Sequence, residues 1–367
     1  MTQQYKHKNS SFSLSVVEIK NPDLKTKIDK ALGDVFKGFL PSKNMDISFS
    51  FSFTDHINSF ITDTVFVQYK NVKIGKNQTH FKDGELNFLI NNNKPFEVLI
   101  NVHDNETLKS SLRIFNKAYK TNIELQITTF YYRIFLLFSQ LWNLENHCSY
   151  LHASAVLVNG ESIVFTADSG VGKSALLFKL SQEKGFKFIA DDLTIISEDA
   201  KVFYQGRCLS VKPYHLSFYP FLIKKLKQLM GSVQSLQWSV VKDDRLTFRI
   251  SPSEFFSEIS EQAEIKSIIH LCNHNSETFQ IKDISAKELL DYTIPIFTNE
   301  LFLAHHKLNT LASLPNSPSI SSAKMLNMVS KIYSSAFINV KLKLVLVPFK
   351  SNPNDLYNFL NKEGCLN

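Results

Sequence analysis

A chain of 367 residues that is 44% hydrophobic holds material for two cores, since single domains commonly run ~100–200 residues. Its net charge of +7 is spread evenly, with 18 basic and 14 acidic side chains in residues 1–150 and 23 and 20 in the remainder, which argues against a dedicated nucleic-acid surface. The opening MTQQYKHKNS lacks the apolar stretch of a leader, and no apolar run approaches the ~20 residues that span a bilayer, so a cytoplasmic protein without stable membrane insertion is expected.

In chain order, the first clear element is a strand in which Ile47, Phe49, Phe51 and Phe53 alternate with Ser48, Ser50 and Ser52, one face apolar and one polar. Val65 to Tyr69, a hairpin about Asp83-Gly84, and Phe96 to Val102 continue a β-rich pattern, with Asn91-Asn92-Asn93 as an ordinary turn. From Phe130 to Leu144 the apolar period turns helical. Residues 1–147 therefore read as a β-rich recognition or assembly domain ending in a linking helix, and they carry no chemical motif.

Leu151 to Val158 and Glu161 to Phe165 flank Asn159-Gly160, the signature of a two-residue hairpin turn. The second strand runs straight into Ala167, Asp168, Ser169, Gly170, Val171, Gly172, Lys173 and Ser174, followed by a helix from Ala175 to Leu180. Strand, Gly-rich loop and helix is the setting of a phosphate cradle. Backbone N–H groups at Gly170 and Gly172 point at polyphosphate oxygens, Lys173 adds charge, and the Ser174 hydroxyl reaches a magnesium ion. The match to G-x-x-x-x-G-K-[ST] lacks its opening glycine, because Ala167 stands there.

After Gly185, Phe186 to Ala190 form a short strand that delivers Asp191 and Asp192. Adjacent side chains on a strand point opposite ways, which suits one carboxylate to the metal and the other to an acceptor hydroxyl. His152, in the first hairpin strand, is a candidate proton partner or phosphate contact. Arginine is scarce, and Arg207 is the first candidate to grip a transferred phosphoryl group, with Arg245 and Arg249 behind it. Lys224, Lys225 and Lys227 read as a solvated helix face.

Further on, Ile265 to Cys272 and Thr278 to Ile281 suggest a hairpin, Ala286 to Tyr292 and Ala323 to Ser334 helices, Val340 to Val347 a strand, and Asn354 to Lys362 a closing helix. His305-His306 reads as a solvent-exposed pair without a spaced metal partner. Cys148, Cys208, Cys272 and Cys365 are scattered, indicating neither a zinc site nor a disulfide framework.

The run LHASAVLVNGESIVFTADSGVGKSALLFKL followed by FIADDLTII resembles the HPr kinase/phosphorylase family and its relatives that phosphorylate free serine or a peptide serine. The resemblance implies the α/β nucleotide-binding core shared with phosphoenolpyruvate carboxykinase over residues 148–367, preceded by the β-rich domain. It places the family's histidine on His152, its loop on Ala167 to Ser174 and its acidic pair on Asp191 and Asp192. Ala167 departs from the opening glycine, Ala175 from the usual glutamate, and Gly206-Arg207 is the nearest remnant of the glycine-rich signature segment.

The expected activity is transfer of a γ-phosphoryl group from ATP, or another phosphoryl donor, with Mg²⁺, to the serine of a peptide or protein. In that scheme residues 168–175 and Lys173 bind the nucleotide, and Ser174 with Asp192 binds the metal. Asp191 takes the acceptor's proton, the two aspartate roles being interchangeable at this level, while His152 and Arg207 assist. The alternatives are a small-molecule kinase of the free-serine type and a catalytically reduced nucleotide-binding assembly or switch protein. A homo-oligomer is compatible with the resemblance.

Overall fold

The computed structural model describes residues 2–8, 10–43, 46–84, 86–92, 94–104, 122–231, 235, 238, 247–300, 320–349 and 351–366. These cluster into two compact units, one within Met1–Lys109, Lys120–Ser149 and Thr298–Ile332, the other within Tyr150–Phe297 and Tyr333–Asn367. The architecture is mixed α/β, with a large sheet in each unit.

The first unit opens with a hairpin of β1 (Thr2–His7) and β2 (Ser10–Val16), then α1 (Pro22–Phe36) and β3 (Ile47–Thr54). Asn21 caps α1, its side chain accepting from the N–H groups of Asp23 and Leu24, and Pro22 supplies a φ already suited to the first turn. Because β2 and β3 pair in parallel, the connection between them has to cross over the sheet, and α1 provides that crossover. A meander follows through β4 (Val65–Tyr69), β5 (Val72–Gly75), β6 (Gln78–Asp83), β7 (Leu86–Asn91) and β8 (Lys94–Asn101), which returns to lie parallel to β3. The sheet order is β1-β2-β3-β8-β7-β6-β5-β4.

Alternation along β3 buries Phe49, Phe51 and Phe53 on one face, as the sequence pattern expects. The helical period expected from Phe130 to Leu144 lies within a helical stretch of three parts: α2 (Asn122–Phe130), one π-helical turn (Tyr131–Phe135) and α3 (Leu136–Glu145). Phe135, in the π turn, meets the rings of Phe12, Phe36, Phe49 and Phe51, so the core of this unit is an aromatic cluster.

The strands after α3 are β9 (Cys148–Leu151), which crosses the division between the units, and, within the second unit, β10 (Ala153–Val158), β11 (Glu161–Ala167), β12 (Lys187–Ala190), β13 (Thr194–Ser197), β14 (Lys201–Phe203), β15 (Leu209–Val211), β16 (Phe248–Ile250), β17 (Gln262–His274), β18 (Gln280–Asp283) and β19 (Lys341–Pro348). The helices beyond α3 are α4 (Lys173–Leu180), α5 (His215–Phe218), α6 (Pro220–Leu229), α7 (Ala286–Glu300), α8 (Ser322–Phe337) and α9 (Pro353–Lys362), of which α7 and α8 are divided between the two units. The main path runs β12-β10-β11-β17-β14-β13-β9, and β19 pairs with both β17 and β18.

The β10–β11 hairpin turns at Asn159 and Gly160, whose φ angles of 52° and 84° are those a two-residue turn between twisted strands requires. β17 lies parallel to β11 on its other side. The hairpin expected between Ile265–Cys272 and Thr278–Ile281 does not form: β18 pairs antiparallel with β19 instead, with Gln280 opposite Leu346. Lys224, Lys225 and Lys227 fall on α6, where Leu222 and Leu226 supply the buried side. Arg245, His305 and His306 lie outside the described residues.

Candidate active site

β11 ends at Ala167 and α4 begins at Lys173, so the loop between them joins a strand buried from Ser162 onward to a helix N-terminus. Gly170 and Gly172 have φ of 88° and 114°, and a Cβ at either would meet nothing within 4 Å. Backbone conformation rather than space therefore demands glycine at these positions. Asp168, Ser169 and Gly170 are exposed, Val171 and Gly172 half-buried. Ala175 is buried, and its carbonyl accepts the hydroxyl of Tyr219 at 2.8 Å, which anchors the first turn of α4. The cation of Lys179 lies 4.7 Å from the ring centre of Tyr357, tying α4 to α9.

Lys173 is buried and donates to the carbonyl oxygens of Ala167 at 2.7 Å and Asp168 at 3.1 Å. Its third contact is His152 Nε2 at 2.9 Å. An ammonium can only donate, so Nε2 accepts and the ring proton sits on Nδ1, which faces Asp192 Oδ1 at 3.5 Å. The predicted strand through His152 is in fact two, β9 and β10, and His152 occupies the break between them. Burial first, then the Lys173 charge, pushes the His152 pKa down to about 4 against the pull of Asp192, so this imidazole is neutral at pH 7.

The two aspartates are unlike. Asp191 is buried, and its Oδ1 accepts from Ser154 Oγ at 2.8 Å and from Ser174 Oγ at 2.9 Å. Its Oδ2 is buried without a partner among the described residues. Burial and then the neighbouring Asp192 raise its pKa, opposed by the two serines and Arg207. Asp192 keeps 33% of its side chain exposed and is held by Arg207 and His152. For Asp192 burial acts upward, but Arg207, His152, Lys173 and Lys212 together outweigh it and the pKa is lowered.

Backbone geometry separates the pair. The Leu193 N–H donates to the Asp191 carbonyl at 2.8 Å, and Asp192 at the centre of this three-residue turn has φ of 68°. Few side chains tolerate that conformation, and the strain of ~1–3 kcal/mol persists only where surrounding contacts impose it.

His152, Lys173, Ser174, Asp191, Asp192 and Arg207 are thus brought together. Arg249 sits on β16 opposite Ser210. Ser154 escaped the sequence reading. Its signal was a hydroxyl inside an otherwise apolar strand, two residues after His152. Ser174 Oγ and the unpartnered Asp191 Oδ2 are hard oxygen donors, a set that suits Mg²⁺. Among the described residues no cluster of three or more His, Cys, Asp or Glu side chains offers an alternative metal centre, and no helix is long and apolar enough to cross a membrane.

No family profile and no curated protein matches this chain in sequence. Among solved structures, the Hpr(Ser) kinase/phosphatase from Coxiella burnetii is similar over 59% of this chain and 97% of that one, at 10% identity and a TM-score of 0.27. So loose an overlap assigns neither family nor activity.

Proposed function

We propose that the second unit is a Mg²⁺-dependent kinase that moves the γ-phosphoryl group of ATP to a serine hydroxyl of a peptide or protein. One observation carries this reading: Ser174, at the start of the helix behind a left-handed glycine loop, meets a buried aspartate with a spare oxygen, while the next residue in the chain is a second, half-exposed aspartate.

Bound ATP and Mg²⁺ supply the phosphoryl group and the neutralisation of its charge. The backbone N–H groups of residues 169–174 and the Lys173 ammonium bind phosphate oxygens. Ser174 and Asp191 hold the metal. Asp192 takes the proton from the acceptor hydroxyl at its carboxylate, a role favoured by its exposure and by its being ionised at pH 7. The geometry thus supports the exchanged allocation of the two aspartates. Arg207 holds Asp192 in place and adds positive charge where the transferred group would pass, and neutral His152 orients Lys173 and Asp192 together.

The test is incubation with labelled ATP and Mg²⁺ against a peptide extract and against free serine, with Asp192→Asn and Asp191→Asn beside the native protein. Label is expected in peptide. Asp192→Asn should lower transfer by about 10²–10⁴-fold while leaving nucleotide affinity within about threefold. Asp191→Asn should lose transfer together with the metal dependence of binding. Label in free serine would move the acceptor to small molecules. Binding with no transfer to either would make the unit a nucleotide switch, and no Mg²⁺-dependent ATP binding would overturn the proposal.

A further inference from the structure

Two buried polar groups beside the loop take no part in the chemistry above. Thr166 and His270 stand at matched register on the parallel strands β11 and β17, one residue before Ala167 opens the loop. Matched residues on neighbouring strands project from the same face of a sheet, with side chains close enough to act together. Both residues are buried, and Thr166 Oγ1 and His270 Nδ1 each lack a hydrogen-bond partner among the described residues. The His270 ring lies flat on Tyr292 of α7, centres 4.6 Å apart and planes 10° apart, which sets the direction of its nitrogens.

The charges that act on His270 are those of the loop, Asp168 and Lys173. Burial pushes its pKa down to about 4, so at pH 7 the ring is neutral and keeps one lone pair and one N–H. An apolar pair would fill these positions more cheaply, because an unpaired buried polar group loses its hydration for nothing in return. Valine has the shape of threonine, and phenylalanine stacks on tyrosine as well as histidine does. A fold that keeps two such groups side by side under a binding loop has a use for them in another state.

The geometry points to Thr166 and His270 as positioning residues for the phosphoryl donor, a polar floor under the loop that hydrogen-bonds its main chain when the donor's phosphates draw the N–H groups inward. This rests on the kinase reading and adds to it two residues that touch no reacting atom.

The experiment titrates a fluorescent ATP analogue with Mg²⁺ onto the native protein, Thr166→Val, His270→Phe and His270→Gln, with melting temperatures measured without nucleotide. Thr166→Val and His270→Phe are expected to weaken binding about tenfold, the scale of one lost hydrogen bond. Their nucleotide-free melting temperatures should hold or rise, since an unsatisfied group has been removed. His270→Gln should restore most of the affinity. Native binding with unchanged affinity in the Val and Phe variants overturns the inference, as does a melting temperature that falls in step with affinity, the mark of a purely structural role. A native protein that binds no Mg²⁺–ATP overturns the kinase reading itself, and that result is read before any variant is compared.

Discussion

The two units spend their buried residues differently. In the first, Phe12, Phe36, Phe49, Phe51, Phe130 and Phe135 form a continuous ring cluster, the buried imidazole of His7 beside it is matched to Asn143 at 2.9 Å, and the unpartnered buried atoms among the described residues, His80 Nε2, Asn122 Oδ1 and Asn143 Nδ2, belong to uncharged side chains spread along the unit. In the second, the interior end of the sheet holds Asp191, Lys173, His152, His270 and Thr166, with Asp191 Oδ2, His270 Nδ1 and Thr166 Oγ1 left unpartnered among the described residues. The first interior is mainly aromatic. The second gathers charged and unpartnered groups at one place, as expected where groups are held ready for a ligand.

Acid should expose this difference most. His152 and His270 are held at about 4 and His215 at about 3, all in the second unit, against His7 at about 4 in the first, where burial also lowers half-buried His80. A histidine held below its free value of 6.5 takes up protons more readily when unfolded. Its contribution is therefore complete above pH 6.5 and drains away as pH falls toward 4. Each such group contributes up to ~1.4 kcal/mol per pH unit in that window. The protection of β11 and β17 amides, taken relative to the intrinsic exchange rate at each pH, should fall between pH 6.5 and 4.5 well before the fluorescence of Trp142, read in a Trp238→Phe background, reports loss of the first unit. Equal pH slopes in the two units would break the comparison.

Removing cohesion should sharpen it from the other side. Phe135→Ala is expected to cost the first unit ~3–5 kcal/mol, the range for deleting a fully buried ring, measured by denaturant unfolding followed at Trp142. A cost under ~1 kcal/mol would mean that the cluster relaxes around the gap and is not the unit's main source of stability. The smallest effect should have the opposite sign. Asp191→Asn removes a buried carboxylate whose pKa is raised by burial, so the nucleotide-free protein should melt at the same temperature or ~2–4 °C higher even as transfer is lost. A fall in melting temperature would show that Asp191 is a structural acid.

Much of the loop region was legible because its signals are local. Asn159-Gly160 announces a hairpin through the φ angles it tolerates, and Gly170, Gly172, Lys173 and Ser174 announce a loop that turns its amides inward. The alternation of Phe49, Phe51 and Phe53 with serines likewise named one face of β3. What stayed hidden depends on partners distant in sequence. Nothing in Thr278 to Ile281 says that this strand pairs with Leu346 rather than with its neighbour β17, because a loop of that length permits either. The parallel pairing of β3 with β8 leaves no turn motif between them. Ser154, Thr166 and His270 are single polar residues in apolar strands, and only register shows that Thr166 and His270 stand side by side while Ser154, opposite Phe165, projects from the other face.

The break at His152 has a further consequence. β9 pairs along one stretch of the sheet path and β10 along another, and the chain makes the same change of partners between β12 and β13, at Asp191 and Asp192. The segment from 152 to 192 therefore closes on itself: it starts with the histidine, carries the loop at its middle and ends with the acidic pair, and its two ends meet across 3.5 Å. A shift at either end is felt at the other, so the spacing of histidine, loop and acidic pair is fixed together.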